Sequence, residues 1–153
     1  MGARRRSRGT GRFAAGRHVQ ARRRPLRTIG AEFLPLCHRD DVAIGAARGF
    51  LPAPGARRKI IVLNRGEGRF LAYWDACPHY TGGTPMAWRA DAYLSGDGRH
   101  LSCHAHGALF DIETGDCIDG PCLGRRLTRV PLVMAPDGMI HVPAHLAGNG
   151  REK

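Results

Sequence analysis

The 153-residue chain lacks long apolar runs, and this absence limits what the protein can be. A membrane-spanning helix needs about eighteen or more consecutive apolar residues, and no such stretch is present, so we expect no membrane span. Aromatic residues make up only 7% of the chain, whereas Gly and Pro number 21 and 10. This composition favours one β-rich, loop-rich domain with a modest core.

Acidic residues are absent from positions 1–28, which contain ten arginines. The remaining chain carries fourteen Lys and Arg against thirteen Asp and Glu, so the net charge of +11 belongs almost entirely to this segment. A nucleic-acid-binding domain usually carries its positive charge on a folded face. We therefore expect no nucleic-acid partner and a disordered Arg-rich tail at 1–28. A transit peptide or a start site assigned too far upstream would look the same.

The cysteine count argues against a disulfide-stabilised secreted protein. The chain has five cysteines, an odd number, and its twin arginines are not followed by the apolar segment of an export signal. Reducing compartments keep thiols free, and clustered Cys and His residues there indicate metal binding. We therefore expect a cytoplasmic protein with a metal site; the oligomeric state is left open.

Alternating and β-branched residues, separated by Gly-rich turns, predict several antiparallel hairpins. We expect an all-β fold, an antiparallel β-sandwich or small barrel with an inserted cluster-binding hairpin subdomain at about 75–124. The domain would span 29–146 and be followed by a flexible tail at 147–153. Strands are expected at 33–37, 59–64, 69–74, 100–102 and 108–111, and 127–134 with 139–142 would form a final hairpin.

Two short segments each contain one Cys and one His two or three positions apart. The first holds Cys77 and His79, and the second holds Cys103 and His106. Thiolates and imidazoles bind zinc, iron or copper rather than calcium or magnesium. A zinc ion could use all four residues. The mixed pair in each segment also suits a centre with two different metal positions, each segment supplying one ligand to each.

These segments, with the residues that follow them, resemble the two cluster loops and the proline-containing loop of the Rieske iron–sulfur family. The resemblance covers roughly residues 31–143. It implies one [2Fe-2S] cluster, with Cys77 and Cys103 on one iron and His79 and His106 on the other. The residues that it places around the cluster are Tyr80, His104, Gly107 and Pro121.

Two departures from the family pattern indicate a subtype. Rieske proteins of cytochrome complexes carry an extra, disulfide-bridged cysteine in each loop, and a serine after the glycine of the second loop. Here residues 80–83 and Ala105 occupy the cysteine positions, and Ala108 replaces the serine. Fewer hydrogen bonds to the cluster stabilise its reduced state less. We therefore expect a disulfide-free centre with a potential nearer about −150 mV than +300 mV.

The resemblance implies an electron-transfer protein more than a catalyst. It would be a one-electron carrier or the ferredoxin component of an oxygenase or reductase system, with a reductase or a terminal oxygenase as redox partner. A Rieske-like small subunit of a nitrite-reductase-type enzyme and a structural zinc module are the alternatives. Cys117 and Cys122 are expected as small packing residues. The acidic residues between 111 and 119 are expected as a solvated face, which would attract a basic partner if it lay at the cluster edge.

Overall fold

The computed structural model describes residues 30–148. The tail expected at 1–28 lies outside these residues, as does most of the tail expected at 147–153. Between residues 30 and 148 the chain forms nine β-strands and two 3-10 helices, without an α-helix, and every strand pairing is antiparallel. No helix in this range is long and apolar enough to cross a membrane. The expectation of an all-β fold is confirmed.

The strands form three separate three-stranded sheets. Their orders are β1-β9-β8, β2-β3-β4 and β5-β6-β7. The strands are β1 (Phe33–His38), β2 (Ala47–Phe50), β3 (Ile60–Asn64), β4 (Phe70–Trp74), β5 (His100–Cys103), β6 (Ala108–Asp111), β7 (Cys117–Asp119), β8 (Val133–Met134) and β9 (Met139–Pro143). The 3-10 helices are Arg39–Asp41 and Ala144–Ala147.

Strand β3 is buried on both of its faces and lies between the two core clusters. All five of its residues are buried, which matches its continuous apolar sequence. Ile61 and Leu63 pack in one core cluster, which extends into the β5-β6-β7 sheet. Ile60 and Val62 pack in the other cluster, which reaches the β1-β9-β8 sheet. The alternation of side chains along one strand therefore builds both cores.

Two details of the strand pattern differ from the expectation. Within 127–134 only Val133–Met134 is a strand, because Pro131 cannot donate to a ladder. The part before it joins the fold by single hydrogen bonds, such as that from the Val130 amide to the Ala72 carbonyl (2.9 Å). Strand β7 was not expected, since its three residues are too few to show a pattern.

Candidate metal centre

The first Cys/His loop follows directly from β4 and is closed at its base by backbone hydrogen bonds. The Cys77 amide donates to the Thr84 carbonyl (2.7 Å), and the Thr84 amide donates to the Cys77 carbonyl (3.4 Å). Gly83 has a φ of +67°, and a Cβ there would lie 2.6 Å from Cβ of Ala76. Only glycine fits this return turn. Residues 78–82 therefore form a short finger, with Cys77 at its base.

The second Cys/His loop is a tight turn between β5 and β6. β5 ends at Cys103 and β6 begins at Ala108. The Gly107 amide donates to the Cys103 carbonyl (2.8 Å), and Gly107 has a φ of +69°. The His104 amide donates to the Met86 carbonyl (2.9 Å), just beyond the finger. This last hydrogen bond holds the two loops next to each other.

Three of the four expected ligands come together directly. Ligand atoms of Cys77, His79 and Cys103 lie within 4.8 Å of one another. His106 lies outside this group, but its ring packs on the His79 ring with centroids 3.9 Å apart. Both cysteines are 0% exposed, whereas His106 is exposed. The thiols therefore lie at the base of the site, and the His106 ring lies toward its rim.

The donor atoms fit an iron–sulfur cluster. Both ring nitrogens of His79 are buried and have no hydrogen-bond partner in the described part of the chain. A buried polar atom left unpaired costs about 1–3 kcal/mol, so these nitrogens call for a ligand. Two thiols and two imidazoles are the donors that hold a Rieske [2Fe-2S] cluster. In that arrangement the cysteines would bind one iron and the histidines the other.

Burial favours the neutral forms of Cys77 and His79. Burial raises the pKa of the Cys77 thiol above its ordinary value, and the nearby Cys103 and Cys122 thiols raise it further. Burial also lowers the pKa of His79, and the adjacent His106 acts in the same direction. Neutral imidazole is the form that binds a metal, whereas a thiol must first lose its proton. A bound metal supplies the positive charge that removes this proton.

A buried carboxylate supports the finger from behind. Asp75 is buried; its Oδ1 accepts a hydrogen bond from the Met86 amide (2.7 Å), and its Oδ2 accepts one from the Tyr93 hydroxyl (3.1 Å). Burial raises the pKa of Asp75, while both hydrogen bonds oppose that rise. Because Asp75 precedes Cys77 and Met86 follows Thr84, this carboxylate ties together the two ends of the finger.

Two arginines hold the finger from the outside. The guanidinium of Arg58 donates to the Gly82 carbonyl, and that of Arg125 donates to the Pro78 carbonyl (2.5 Å). Within residues 30–148 neither arginine pairs with a carboxylate. Their charge is therefore not neutralised by an ion pair, and the rim of the first loop is positively charged.

The acidic residues between 111 and 119 are engaged in local contacts instead. The Glu113 carboxylate pairs with Arg65 at 3.1 Å and with Arg69 at 2.8 Å. Asp116 pairs with Arg126 at 2.8 Å. Two of the four acidic side chains in this run are therefore paired with arginines, whereas Asp111 and Asp119 accept hydrogen bonds from backbone amides.

The other residues expected around the cluster occupy different positions. The Tyr80 ring lies 4.6 Å from the His79 ring and 5.9 Å from the His106 ring, and it is 65% exposed. His104 and Pro121 are exposed, and Gly107 lies in the turn described above. Of these four residues, Tyr80 has a side chain that packs against the His79 and His106 rings.

Three residues near the site gained importance only from the structure. Cys122 was expected as a packing residue, yet its Sγ lies 3.5 Å from that of Cys77. Asp75 and Arg125 had no expected role. The position of Asp75, an acidic residue between strand β4 and Cys77, was visible in the sequence. Its partner Tyr93, 18 positions away, could be recognised only in the folded chain.

Comparison with known proteins establishes the family. A family model for the Rieske [2Fe-2S] domain matches residues 32–136, which include both Cys/His loops. The chain therefore belongs to the Rieske [2Fe-2S] domain family. The expected cofactor, one [2Fe-2S] cluster, is confirmed as the cofactor of this family. Among curated proteins, none matches the chain.

Solved structures show the same fold at low sequence identity. A chain of the complex of reduced oxygenase and oxidized ferredoxin in carbazole 1,9a-dioxygenase is 23% identical, with a TM-score of 0.55 over 81% of this chain and 98% of that one. The Sphingomonas yanoikuyae B1 ferredoxin is 23% identical, with a TM-score of 0.53 over 72% and 96%. The terminal oxygenase of carbazole 1,9a-dioxygenase from Novosphingobium sp. KA1 is 20% identical, with a TM-score of 0.54, and the match spans 72% of this chain but only 29% of that chain.

Proposed function

We propose that the chain is a one-electron carrier, the ferredoxin component of an oxygenase or reductase system. Cys77 and Cys103 are assigned to one iron, and His79 and His106 to the other. A bound [2Fe-2S] cluster supplies a one-electron couple whose potential depends on its ligands, hydrogen bonds and exposure. The observation that carries the proposal is the contrast between the two thiols, which are 0% exposed, and the exposed His106.

The chain's own residues would exclude water on one side of the site and admit a partner on the other. The core cluster around Cys77 and Cys103 keeps their sulfurs dry. His106 and the 65% exposed Tyr80 leave the opposite edge open to a second protein. The fold is shared with ferredoxins that occur beside oxygenases, which supports a partner of that kind.

Charge complementarity suggests that this partner presents carboxylates. A cleft of about 500 Å³ borders the finger at Gly83 and Pro85. Trp88, 70% exposed, lines it together with four cationic side chains. These cations are Arg57, Arg58, Lys59 and Arg89. Opposite charges speed up association and fix orientation, which suits a transient electron-transfer complex.

The docking proposal is tested by electron-transfer kinetics with a purified reductase or oxygenase partner. We expect the second-order rate constant to fall as ionic strength rises, because salt screens exposed charges. Arg89→Gln should lower that rate at low salt and leave the potential unchanged. The matched control is Arg69→Gln, since Arg69 already pairs with Glu113 at 2.8 Å. Equal effects of the two substitutions would remove the cleft from the docking surface.

The electron-carrier proposal is tested by a redox titration of the purified protein. We expect reversible uptake of one electron per cluster, with a midpoint at the low end of the Rieske range. Zinc in a one-to-one ratio, with no iron, would favour the zinc module instead. Stable co-purification with a large catalytic subunit would favour the nitrite-reductase-type alternative.

We also infer a cytoplasmic location and a folded unit at 29–146. None of the five cysteines forms a disulfide, which supports a reducing compartment, although Cys77 and Cys122 are close enough to react. Cell fractionation tests the location; recovery from an exported or membrane fraction would contradict it. Limited proteolysis of the full chain tests the boundaries, and we expect early cuts before 29 and after 146.

A further inference from the structure

A third buried thiol lies against the two that are assigned to iron. Cys122 is 0% exposed, and its Sγ lies 3.5 Å from Sγ of Cys77, a distance at which sulfur forms a hydrogen bond. It belongs to neither ligand loop, since it follows β7 in the proline-containing loop. Three parts of the chain therefore bring cysteines to the same buried point.

The backbone holds Cys122 in place. The Arg125 amide donates to the Cys122 carbonyl (2.8 Å), and the Cys117 amide donates to the Arg125 carbonyl (2.9 Å). Gly120 lies so close to the second ligand loop that a Cβ on it would be 2.7 Å from Cα of Ala108. These contacts lock the proline-containing loop against the cluster-binding turn. The sulfur of Cys122 therefore keeps its position beside Cys77.

The direction of this hydrogen bond follows from the protonation of the two sulfurs. A thiolate that binds a metal has no proton, so Cys77 can only accept once it holds iron. The other nearby thiol, Cys117, donates to the Asp119 carbonyl (3.2 Å). The proton between Cys77 and Cys122 must then come from Cys122.

We propose that the Cys122 thiol donates a hydrogen bond to Sγ of Cys77 and thereby raises the reduction potential of the cluster. The inference rests on the assignment of Cys77 as an iron ligand made above. Reduction adds negative charge, part of which reaches the ligand sulfur, and a donor stabilises that charge. Ala108 cannot supply the hydrogen bond that a serine would make at its position. Cys122 partly compensates for that missing donor.

The test compares midpoint potentials of the cluster-containing protein and three variants. Cys122→Ala removes the donor and should lower the equilibrium constant for reduction by about threefold, which is about 28 mV for a one-electron couple. Cys122→Ser keeps an O–H donor and should restore most of the difference. Cys37→Ala is the control, because it removes a buried thiol of the other core cluster, away from Cys77 and Cys122. An unchanged potential in Cys122→Ala, or an equal shift in Cys37→Ala, would overturn the proposal.

A second measurement works even if Cys122→Ala loses its cluster. The resonance Raman Fe–S(Cys) stretching bands of the native protein should shift in D₂O, because the donated proton exchanges. Bands without a deuterium shift would overturn the proposal, as would a Cys77–Cys122 disulfide found by mass spectrometry in the cluster-containing protein. Failure of the iron assignment is recognised separately, since the native protein would then show no Rieske spectrum at all.

Discussion

Replacing Tyr93 by Phe tests whether the finger depends on an ionised, buried Asp75. The Tyr93 hydroxyl is buried and donates to Oδ2 of Asp75 at 3.1 Å. A hydrogen bond to a charged group contributes about 1.5–3 kcal/mol, whereas one between neutral groups contributes about 0.5–1.5 kcal/mol. The fold supplies the neutral case as a control, because the equally buried Tyr73 hydroxyl donates to the Ile112 carbonyl (2.8 Å).

The two Tyr→Phe variants should therefore differ in stability. We expect Tyr93→Phe to lose about 2 kcal/mol and Tyr73→Phe about 1 kcal/mol of unfolding free energy. With a urea m-value of about 2 kcal/mol/M, the midpoints fall by about 1 M and 0.5 M. Urea-induced bleaching of the visible absorbance measures both. Equal shifts, or a larger shift for Tyr73→Phe, would refute the reasoning that Tyr93 serves a charged acceptor.

Two further predictions concern the finger and an isolated thiol. Gly83→Ala should lower the free energy of unfolding by about 2 kcal/mol or more, because it adds a clash with Ala76 to the strain of a positive φ. The control is Gly82→Ala, whose Cβ would meet no atom within 4 Å and which should therefore cost only the strain. Similar bleaching midpoints for the two variants would contradict this prediction. Burial raises the pKa of the Cys37 thiol to about 12, so alkylation at pH 8 should be limited by unfolding and remain slow until the pH approaches that value. Rapid labelling of Cys37 in the native protein would contradict that expectation.

The parts of the fold that were predictable are those set by local patterns. The β3–β4 hairpin was recognisable because a β-branched run, a Gly-rich turn and an aromatic run follow one another within about fifteen residues. The two ligand loops were recognisable because metals demand particular donor atoms at short spacing. Neither depends on knowing which distant segments pack together.

The supporting contacts were not predictable because they join distant segments. Cys122 is 45 positions from Cys77, and Arg125 is 47 positions from Pro78. Their proximity depends on how the proline-containing loop crosses the finger, which short-range periodicity does not encode. The pairing of Glu113 with two arginines of an adjacent hairpin was not predictable either. Charge along a sequence does not reveal which charges remain free.

The most direct test of the account is an electron paramagnetic resonance spectrum of the dithionite-reduced, full-length protein. We predict a rhombic signal whose average g value is well below that of all-cysteine [2Fe-2S] clusters, because two imidazoles replace two thiolates on one iron. His106→Cys should move that average upward or abolish the signal. A native spectrum typical of four-cysteine ligation, or a silent sample with stoichiometric zinc, would contradict the assignment of Cys77, His79, Cys103 and His106.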